Sequence, residues 1–287
     1  MPHCTVPAAE EILDRPFEVL DKGFVRLVDY LGGDDRIVQA ARVSYGAGTK
    51  SYREDAGLID YLLRNEHTSP FEQVVLTFHI KLPIFVARQW IRHRTARVNE
   101  ISGRYSVMKD DFYLPAPEDV ARQSADNKQG RETEPLPPEA AAAVIAKLAA
   151  GQKAAYEEYS SLVEEGLARE LARIDLPLSL YTEWYWQIDL HNLFRFLALR
   201  LDAHAQKEIR AYAEVILDLA RMVAPAATAS FERHLLEGVR FSGPELAELR
   251  RRLAAGSGAS GAGGGAEALT GKELERFEEK LRSGRQL

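Results

Sequence analysis

The chain has 287 residues, enough to bury a substantial core in one large domain or two small ones. Its formal net charge of −6 means that no overall field attracts nucleic acid or an anionic membrane, so any anion site has to be built locally from arginines. The single cysteine, Cys4, excludes a disulfide within the chain, and no apolar run approaches the roughly 18 residues of a membrane span.

Periodicity predicts the elements along the chain. Alternation predicts strands at 23–30 and at 75–82, where the apolar residues Leu76, Phe78 and Ile80 alternate with polar ones. Helical spacing predicts helices at 55–65, 83–93, 138–166, 189–201 and 204–223. The stretch 115–138 is polar and contains prolines, which is typical of a mobile insertion.

The C-terminal end has a different composition. Gly256 to Gly261 read GSGASG and match the dinucleotide-binding pattern G-x-G-x-x-G, but they follow a charged helix predicted at 244–255 rather than a strand. We therefore predict a flexible linker there and not a phosphate loop. The predicted organisation is a catalytic domain at 1–235, a trailing helix at 236–255, a Gly/Ser-rich linker at 256–265 and a tail at 266–287.

The segment Gln89 to Ser106, QWIRHRTARVNEISGRYS, is the most informative part of the chain. Glu100 and Ser102 lie among its cationic residues, which are Arg92, His93, Arg94, Arg97 and Arg104. Gln89 and His93 share a face if the segment begins as a helix, and Glu100, Ser102 and Arg104 point the same way if it continues as an extended arm. A solvated basic face is the plain alternative. The pattern favours two arms that both present donors to a phosphate-type anion.

At these residues the chain resembles the flavin-dependent thymidylate synthases. RHR at 92–94 and NEISGR at 99–104 fit the signature of that family, except that Arg97 stands where the pattern has serine. Similar segments follow in the family's order: HTSPFE at 67–72, RIDLPLSLYTEWYW at 173–186 and LRLDAHAQKEIRAYA at 199–213. The resemblance implies an α+β subunit with a small, largely antiparallel sheet and a long helical section, in a homotetramer with shared active sites.

The resemblance also implies a reaction and its residues. The reaction makes dTMP from dUMP, with methylenetetrahydrofolate as carbon donor and NADPH as reductant through FAD. The implied nucleotide contacts are Gln89 and Arg92 from one chain, Glu100, Ser102, Gly103 and Arg104 from another, and Arg173 and Arg200. The implied flavin contacts are His67, Ser69, Arg92, His93, Arg94, Glu100, Asp189, His191 and Arg195. Arg200 is the implied catalytic residue, because a guanidinium at the N3 edge of uracil stabilises the anionic ring.

Several residues keep a second interpretation. Ser102 is predicted as a phosphate or ribose ligand, but it could be a nucleophile if a base lay beside it. Arg200 could instead be a helix C-terminal charge paired with Asp202, and Arg173 could form a surface salt bridge with Asp175 or Glu170.

Three histidines are also open to another interpretation. His67 lies just before Thr68 and Ser69, either of which could serve as a helix cap with His67 incidental. His191 and Arg195 share a helix face and could grip a pyrophosphate or an adenine edge, although an isolated histidine is more often structural. His204 and Glu208 have metal-ligand spacing, but without a third ligand we expect no metal site.

Two other functions are considered. One is a flavin- and folate-dependent methyltransferase acting on uracil in RNA, which the acidic balance disfavours. The other is a nucleic-acid-binding module without catalysis, in which the RHR segment grips backbone phosphates. Residues 1–20 lack a signal-peptide core, so the expected location is cytoplasmic, with no membrane and no nucleic acid among the partners.

Overall fold

The computed structural model describes residues 5–44, 52–125, 129–256 and 271–283. The chain divides into two compact units, Met1–Thr228 and Ala229–Leu287. All site residues predicted from the sequence belong to the first unit. Cys4 and Ser257 to Gly261 of the GSGASG stretch lie outside the described residues.

The elements of the described residues are as follows. The strands are β1 Pro16–Val19, β2 Gly23–Leu31, β3 Val75–Pro83, β4 Arg97–Glu100, β5 Ala121–Gln123, β6 Arg131–Pro135 and β7 Tyr181–Asp189. The helices are α1 Pro7–Glu10, α2 Asp34–Ala41, α3 Tyr52–Arg64, α4 Ile84–Trp90, α5 Pro138–Glu164, α6 Arg169–Ala172, α7 Leu190–Arg200, α8 Lys207–Val223, α9 Pro225–Phe231, α10 Gly243–Gly256 and α11 Gly271–Ser283.

A five-stranded sheet forms the centre of the first unit, in the order β1-β2-β3-β7-β4. Every neighbouring pair in it is antiparallel, and the predicted α+β class with a largely antiparallel sheet is confirmed. The predicted strands at 23–30 and 75–82 are confirmed as β2 and β3. β7 was not predicted as a strand, although its buried Trp184, Trp186 and Ile188 alternate with polar or exposed residues.

One face of the sheet is apolar and is covered by helices. Phe78 pairs with Trp186 across the β3–β7 ladder, and both side chains are completely buried. Trp90, the last residue of α4, stacks on Phe196 of α7 with ring centroids 4.6 Å apart and meets Trp186 edge-on at 5.2 Å. Burial of aromatic side chains of this size contributes several kcal/mol each, about 3–5 kcal/mol by truncation to alanine. This packing fixes the chain immediately before Arg92.

The other face of the sheet is polar. His79 stacks on Tyr185 at 4.9 Å, accepts a hydrogen bond from Arg26 at Nδ1 and donates from Nε2 to Glu183. The β4 register assigns its residues to the two faces: Val98 and Glu100 lie opposite core tryptophans, whereas Arg97 and Asn99 lie opposite polar-face residues. The strand next to the RHR segment therefore presents Glu100 on the helical side of the sheet.

The predicted helices are confirmed with shifted ends. The prediction of an extended arm that carries Glu100, Ser102 and Arg104 is partly wrong. α4 ends at Trp90, so His93 lies beyond the helix. The extended segment ends at Glu100, and residues 103–105 form a turn in which the amide of Tyr105 donates to the Ser102 carbonyl at 3.1 Å. Glu100, Ser102 and Arg104 thus do not share one strand face. Period two in three polar residues is too short a pattern to distinguish a strand from a turn at Gly103.

The stretch 115–138 contains ordered structure in its described part. β5 and β6 pair there as an antiparallel two-stranded sheet. Two ion pairs attach this region to α8, one between Asp119 and Lys207 and one between Arg131 and Glu208. The prediction of a mobile insertion is therefore wrong for these strands, because the proline-rich composition did not reveal their charged partners.

In the second unit, α10 and α11 pack on each other. Lys280 donates to Glu245 at 2.7 Å, and Arg252 lies 3.3 Å from Glu278. Phe277 is completely buried and meets Phe241 at 6.1 Å between ring centroids. The hydrogen bond from Lys280 is the main reason that the pKa of Glu245 falls to about 2. The predicted trailing helix and tail thus both contain helices, while their boundaries as domains stay a prediction.

Candidate active site

Arg200, the last residue of α7, is held by two hydrogen bonds to the RHR region. Its Nε donates to Nε2 of His93 at 3.0 Å, and its Nη2 donates to the backbone carbonyl of Gln89 at 3.2 Å. The alternative pairing with Asp202 is wrong, because that carboxylate instead accepts from the backbone and ring of His204. We call Gln89, His93 and Arg200 the guanidinium cluster.

His93 is neutral over the physiological pH range. The pKa of its imidazole is lowered to about 4, mainly by burial and to a smaller extent by the positive charges of Arg200 and Arg195. Because Nε2 accepts the hydrogen bond from Arg200, the ring proton resides on Nδ1. The ring therefore has one nitrogen committed to Arg200 and one N–H available for a further acceptor.

Arg200 lies in a partly desolvated, electropositive environment. Burial lowers the pKa of its guanidinium, and the nearby Arg92 adds a second lowering effect. In the described residues neither arginine has a carboxylate within ion-pair distance. Two neighbouring guanidinium groups without a counter-ion are stabilised by an anion, or by a group that becomes anionic.

A second group of predicted site residues lies at a pocket of about 360 Å³. The pocket opens beside the end of β4 and is lined by Ile84, Glu100, Ile101, Gly103, Met108, Glu170, Arg173, Ile174, Leu176, Leu180 and Thr182. Glu100 accepts a hydrogen bond from Thr182 at 2.6 Å, which orients its carboxylate. Glu100, Gly103 and Arg173, together with Ser102 and Arg104 of the adjoining turn, are residues predicted from the sequence to contact a nucleotide, and we call them the nucleotide pocket after that prediction.

Gly103 is closely packed against two side chains. A Cβ atom at this position would lie 2.9 Å from the Met108 sulfur and 3.1 Å from Cδ of Arg173. A Cβ atom would therefore require the Met108 sulfur to move and the side chain of Arg173, a predicted nucleotide contact, to shift by a few tenths of an ångström. The glycine lets the backbone turn approach the arginine directly.

Ser102 is a turn residue without a catalytic base. Its Oγ accepts the backbone N–H of Arg104 at 3.3 Å, and this partner cannot remove a proton. The geometry fits a ligand hydroxyl rather than a nucleophile, which needs an adjacent base. Cys4 lies outside the described residues.

Several arginines around these groups have no carboxylate partner. In the part of the chain that the structure describes, none of Arg94, Arg173 and Arg195 forms an ion pair. Glu170 pairs with Arg104 at 3.4 Å instead, and both side chains are more than half exposed. The alternative salt bridge of Arg173 is thus wrong. In a protein of net charge −6, these unpaired cations mark positions for an anionic ligand.

The remaining predicted flavin residues lie around the start of α7. Asp189 is the N-cap of this helix and accepts from the backbone and side-chain amides of Asn192 at 2.9 and 2.8 Å. His191 is half-buried and Arg195 is exposed on the same helix. The exposed His67 meets Tyr61 edge-on at 5.9 Å, and the exposed Ser69 follows it in the loop before Phe71. Phe71 packs on Phe194, which places this loop beside α7.

Two comparisons with sequence families cover most of the chain. The profile described as thymidylate synthase complementing protein matches residues 26–226, and that of the thymidylate synthase ThyX C-terminal domain matches residues 239–287. The chain belongs to the flavin-dependent thymidylate synthase family. It is 66% identical over 284 residues to the flavin-dependent thymidylate synthase of Treponema pallidum, with 99% of this chain and 90% of the relative covered. The enzyme of Treponema denticola is 64% identical over 275 residues, with 96% and 100% covered.

Solved structures show the same fold. A UMP/dUMP methylase from Streptomyces cacaoi, crystallised with 5-Br dUMP, has a TM-score of 0.69 and 33% identity, with 76% of this chain and 98% of that chain covered. Its complex with 5-Br UMP has a TM-score of 0.68, with 75% and 96% covered. As a flavin-dependent thymidylate synthase, this chain is an enzyme with a flavin cofactor, so a binding module without catalysis is not supported. No helix in the described ranges is long and apolar enough to cross a membrane.

Arg97, the departure from the signature of the flavin-dependent thymidylate synthases, does not face the nucleotide pocket. It lies on the polar side of β4, where its Nη1 donates to Gln187 at 3.4 Å. Glu100 occupies the opposite face of the same strand. The structure thus explains why this position can differ while the pocket residues keep the signature.

Two residues of the site were not predicted from the sequence. Thr182 lies within a segment that resembles the family, yet only its hydrogen bond in the structure reveals that it orients Glu100. Gln206 also lies in such a segment, and its side chain forms a hydrogen bond with that of Gln89. Hydroxyl and amide side chains carry no pattern that indicates their partners across a fold. His204 and Glu208 have separate partners, and no cluster of metal-ligating side chains occurs in the described residues.

Proposed function

We propose that this member of the family makes dTMP from dUMP, with methylenetetrahydrofolate as carbon donor and NADPH as reductant through FAD. The observation that carries the proposal is the guanidinium cluster, in which Arg200 is oriented by His93 and by the Gln89 carbonyl. Two donors of Arg200 are engaged in these bonds, so Nη1 and the second hydrogen of Nη2 remain for a substrate. A fixed guanidinium with donors to spare suits a pyrimidine ring that becomes anionic at N3.

Arg200 is the proposed catalytic residue because it can stabilise charge without exchanging a proton. Thymidylate formation requires electron density at C5 of uracil, and loss of the N3 proton raises it. Among the described residues of these two groups, no nucleophilic side chain, Ser102 included, is in contact with a base. Activation through electrostatic stabilisation is therefore the mechanism that the arrangement supports, with the pre-oriented guanidinium as its centre.

The residues around His93 fit a flavin. The neutral ring offers an Nδ1–H donor, which suits a carbonyl or ring nitrogen, and the unpaired Arg92, Arg94 and Arg195 suit a pyrophosphate. His67, Ser69 and His191 extend this surface along the loop and helix described above. Bound FAD would supply the redox chemistry that these side chains cannot perform. The protein's own part is to bind, orient and balance charge.

The nucleotide pocket is the proposed phosphate and ribose site. Arg173 and Arg104 can each present a planar pair of N–H donors to two phosphate oxygens. Gly103 and the Ser102 hydroxyl lie in the turn between these arginines. Glu100 accepts from Thr182 and keeps one carboxylate oxygen for a ribose hydroxyl or a flavin donor.

We further propose that the guanidinium cluster of one subunit completes the nucleotide pocket of another, in a homotetramer. In the described residues no hydrogen bond or ion pair joins Gln89, His93 or Arg200 to the nucleotide pocket, and none of the three lines it. A single nucleotide needs both groups in the proposed reaction. In a symmetric oligomer, contact between two different surfaces of neighbouring subunits would bring both groups to the same nucleotide.

The proposal is tested by reconstitution. Purified protein should show flavin absorbance and should form dTMP only when dUMP, methylenetetrahydrofolate and NADPH are all present. UMP is assayed in parallel, because the structural relative is a UMP/dUMP methylase. Methylation of UMP in preference to dUMP would replace the proposed substrate, and no product from either nucleotide in flavin-loaded protein would contradict the proposal.

A further inference from the structure

The start of α8 is joined to the guanidinium cluster through Gln206. This residue is the N-cap of the helix, but its side chain makes no capping hydrogen bond. Its Oε1 instead accepts from Nε2 of Gln89. N-cap positions favour short side chains that bind the first turn of the helix, and the glutamine here contacts α4 instead.

The two residues after Gln206 each form an ion pair with another part of the first unit. Lys207 pairs with Asp119, and Glu208, only 3% exposed, accepts from Arg131 at 3.0 Å. Three consecutive side chains at the start of α8 therefore contact α4, the turn before β5, and β6. The backbone next to Gln206 is restrained mainly by the Glu208–Arg131 pair, because Glu208 is buried, whereas the half-exposed Lys207 adds little.

Gln89 is consequently held through both its backbone carbonyl and its side-chain amide. Its backbone carbonyl accepts from Arg200, and its side-chain Nε2 donates to Gln206. The amide of Gln89 can present either oxygen or nitrogen to a ligand, depending on its rotation. In the structure the oxygen of Gln206 accepts from Gln89 Nε2, so the Gln89 amide is oriented with its Oε1 directed elsewhere, and in the described residues this oxygen has no partner.

We propose that Gln206 is a positioning residue for the nucleotide, which fixes the Gln89 amide so that its oxygen accepts from an N–H or O–H group of the substrate. The inference rests on the proposed function, with dUMP as substrate. The pyrimidine N3–H and the ribose hydroxyl are the donors available on that nucleotide. Gln206 itself acts only through Gln89.

The first test replaces the acceptor. Gln206→Leu has similar volume and cannot accept, so the Gln89 amide loses its orientation; KM for dUMP should rise about tenfold while kcat and flavin content change less than about twofold. Gln206→Glu retains an acceptor oxygen and should recover most of the affinity. Gln206→Lys offers only donors, which selects the opposite amide orientation, and should be at least as poor as Gln206→Leu.

A matched control separates positioning from loosening of the helix. Lys207→Met breaks the adjacent contact with Asp119 but leaves the two glutamines, so its KM for dUMP should stay within about twofold of wild type. In a Gln89→Leu background, Gln206→Leu should have no further effect, because a residue that acts through Gln89 is silent without it.

The outcomes distinguish this inference from the proposed function. Wild-type protein that makes no dTMP would contradict the proposed function. Normal wild-type turnover with an unchanged KM in Gln206→Leu would overturn only the role of Gln206. Equal KM increases in Lys207→Met and Gln206→Leu, or additive effects of the Gln89 and Gln206 substitutions, would also overturn it.

Discussion

The guanidinium cluster and the nucleotide pocket differ in how the protein prepares them. In the first, Arg200 is already bound to His93 and to the Gln89 carbonyl. In the second, Arg173 has no carboxylate partner in the described residues, and Arg104 has only an exposed one. A group that stabilises a transient charge benefits from fixed orientation, whereas a group that binds a permanent phosphate charge benefits from unpaired donors. The two regions thus suit the roles proposed for them, the first in chemistry and the second in binding.

The largest expected effect comes from removing the fixed guanidinium. Arg200→Ala should lower kcat for dTMP formation by about 10²- to 10³-fold, the range found when one pre-organised donor is lost. NADPH oxidation through bound FAD should persist, because electron entry does not need the activated uracil. Arg200→Lys should also be poor, since an ammonium cannot bind His93 and a substrate in the same planar fork. Normal dTMP formation in Arg200→Ala would remove the distinction between the two regions.

Replacing Arg173, the arginine of the nucleotide pocket without a carboxylate partner in the described residues, should weaken dUMP binding rather than slow the chemical step. Arg173→Ala should raise KM for dUMP about 10- to 100-fold, the usual weight of a charge-assisted hydrogen bond, and leave kcat at saturation nearly unchanged. Arg122→Ala, an exposed arginine on β5 outside the pocket, is the matched control and should leave KM unaltered. A fall in kcat without a change in KM would assign Arg173 to the chemistry.

The protonation of His93 sharpens the account of the guanidinium cluster. The pKa of its ring should be about 4 in an NMR titration, below the ordinary value of 6.5. Arg200→Met should raise this pKa only part of the way, because burial is the larger cause. Since the pKa is lowered in the folded state, unfolded protein binds more protons between pH 6.5 and 4, and this group makes the fold less stable as pH falls through that window. Titration of His93 at its ordinary pKa would contradict its neutral, acceptor role.

The smallest effect is expected in the second unit. Truncation after Leu253 removes α11 and its contacts with α10, yet Ala229–Leu287 contains none of the proposed site residues. Flavin content, oligomeric state and dTMP formation should therefore be retained, as measured by absorbance, light scattering and turnover. Loss of flavin from the truncated protein would show that the C-terminal segment takes part in cofactor binding.

Short-range patterns predicted much of this architecture. Alternation identified β2 and β3, helical spacing identified α3, α5, α7 and α8, and the RHR segment identified where the cations gather. The turn at Gly103 could not be predicted, because the close packing of Met108 and Arg173 against this glycine is set by the fold. The same holds for the bond between Gln89 and Gln206, which are 117 residues apart. Contacts of this kind depend on register and packing rather than on local composition.

The central claim is that the two regions meet between subunits, and mixing two inactive variants tests it most directly. Arg92→Ala disables the guanidinium side and Arg104→Ala disables the pocket side, so each homo-oligomer has only defective sites. Random exchange of the two should restore about a quarter of the sites, because an intact site needs the correct subunit on each side. Mass measurement verifies the exchange, and turnover and dUMP binding count the restored sites. Recovery near this fraction is the predicted result, and verified exchange without any recovery would place both regions of a site within one chain.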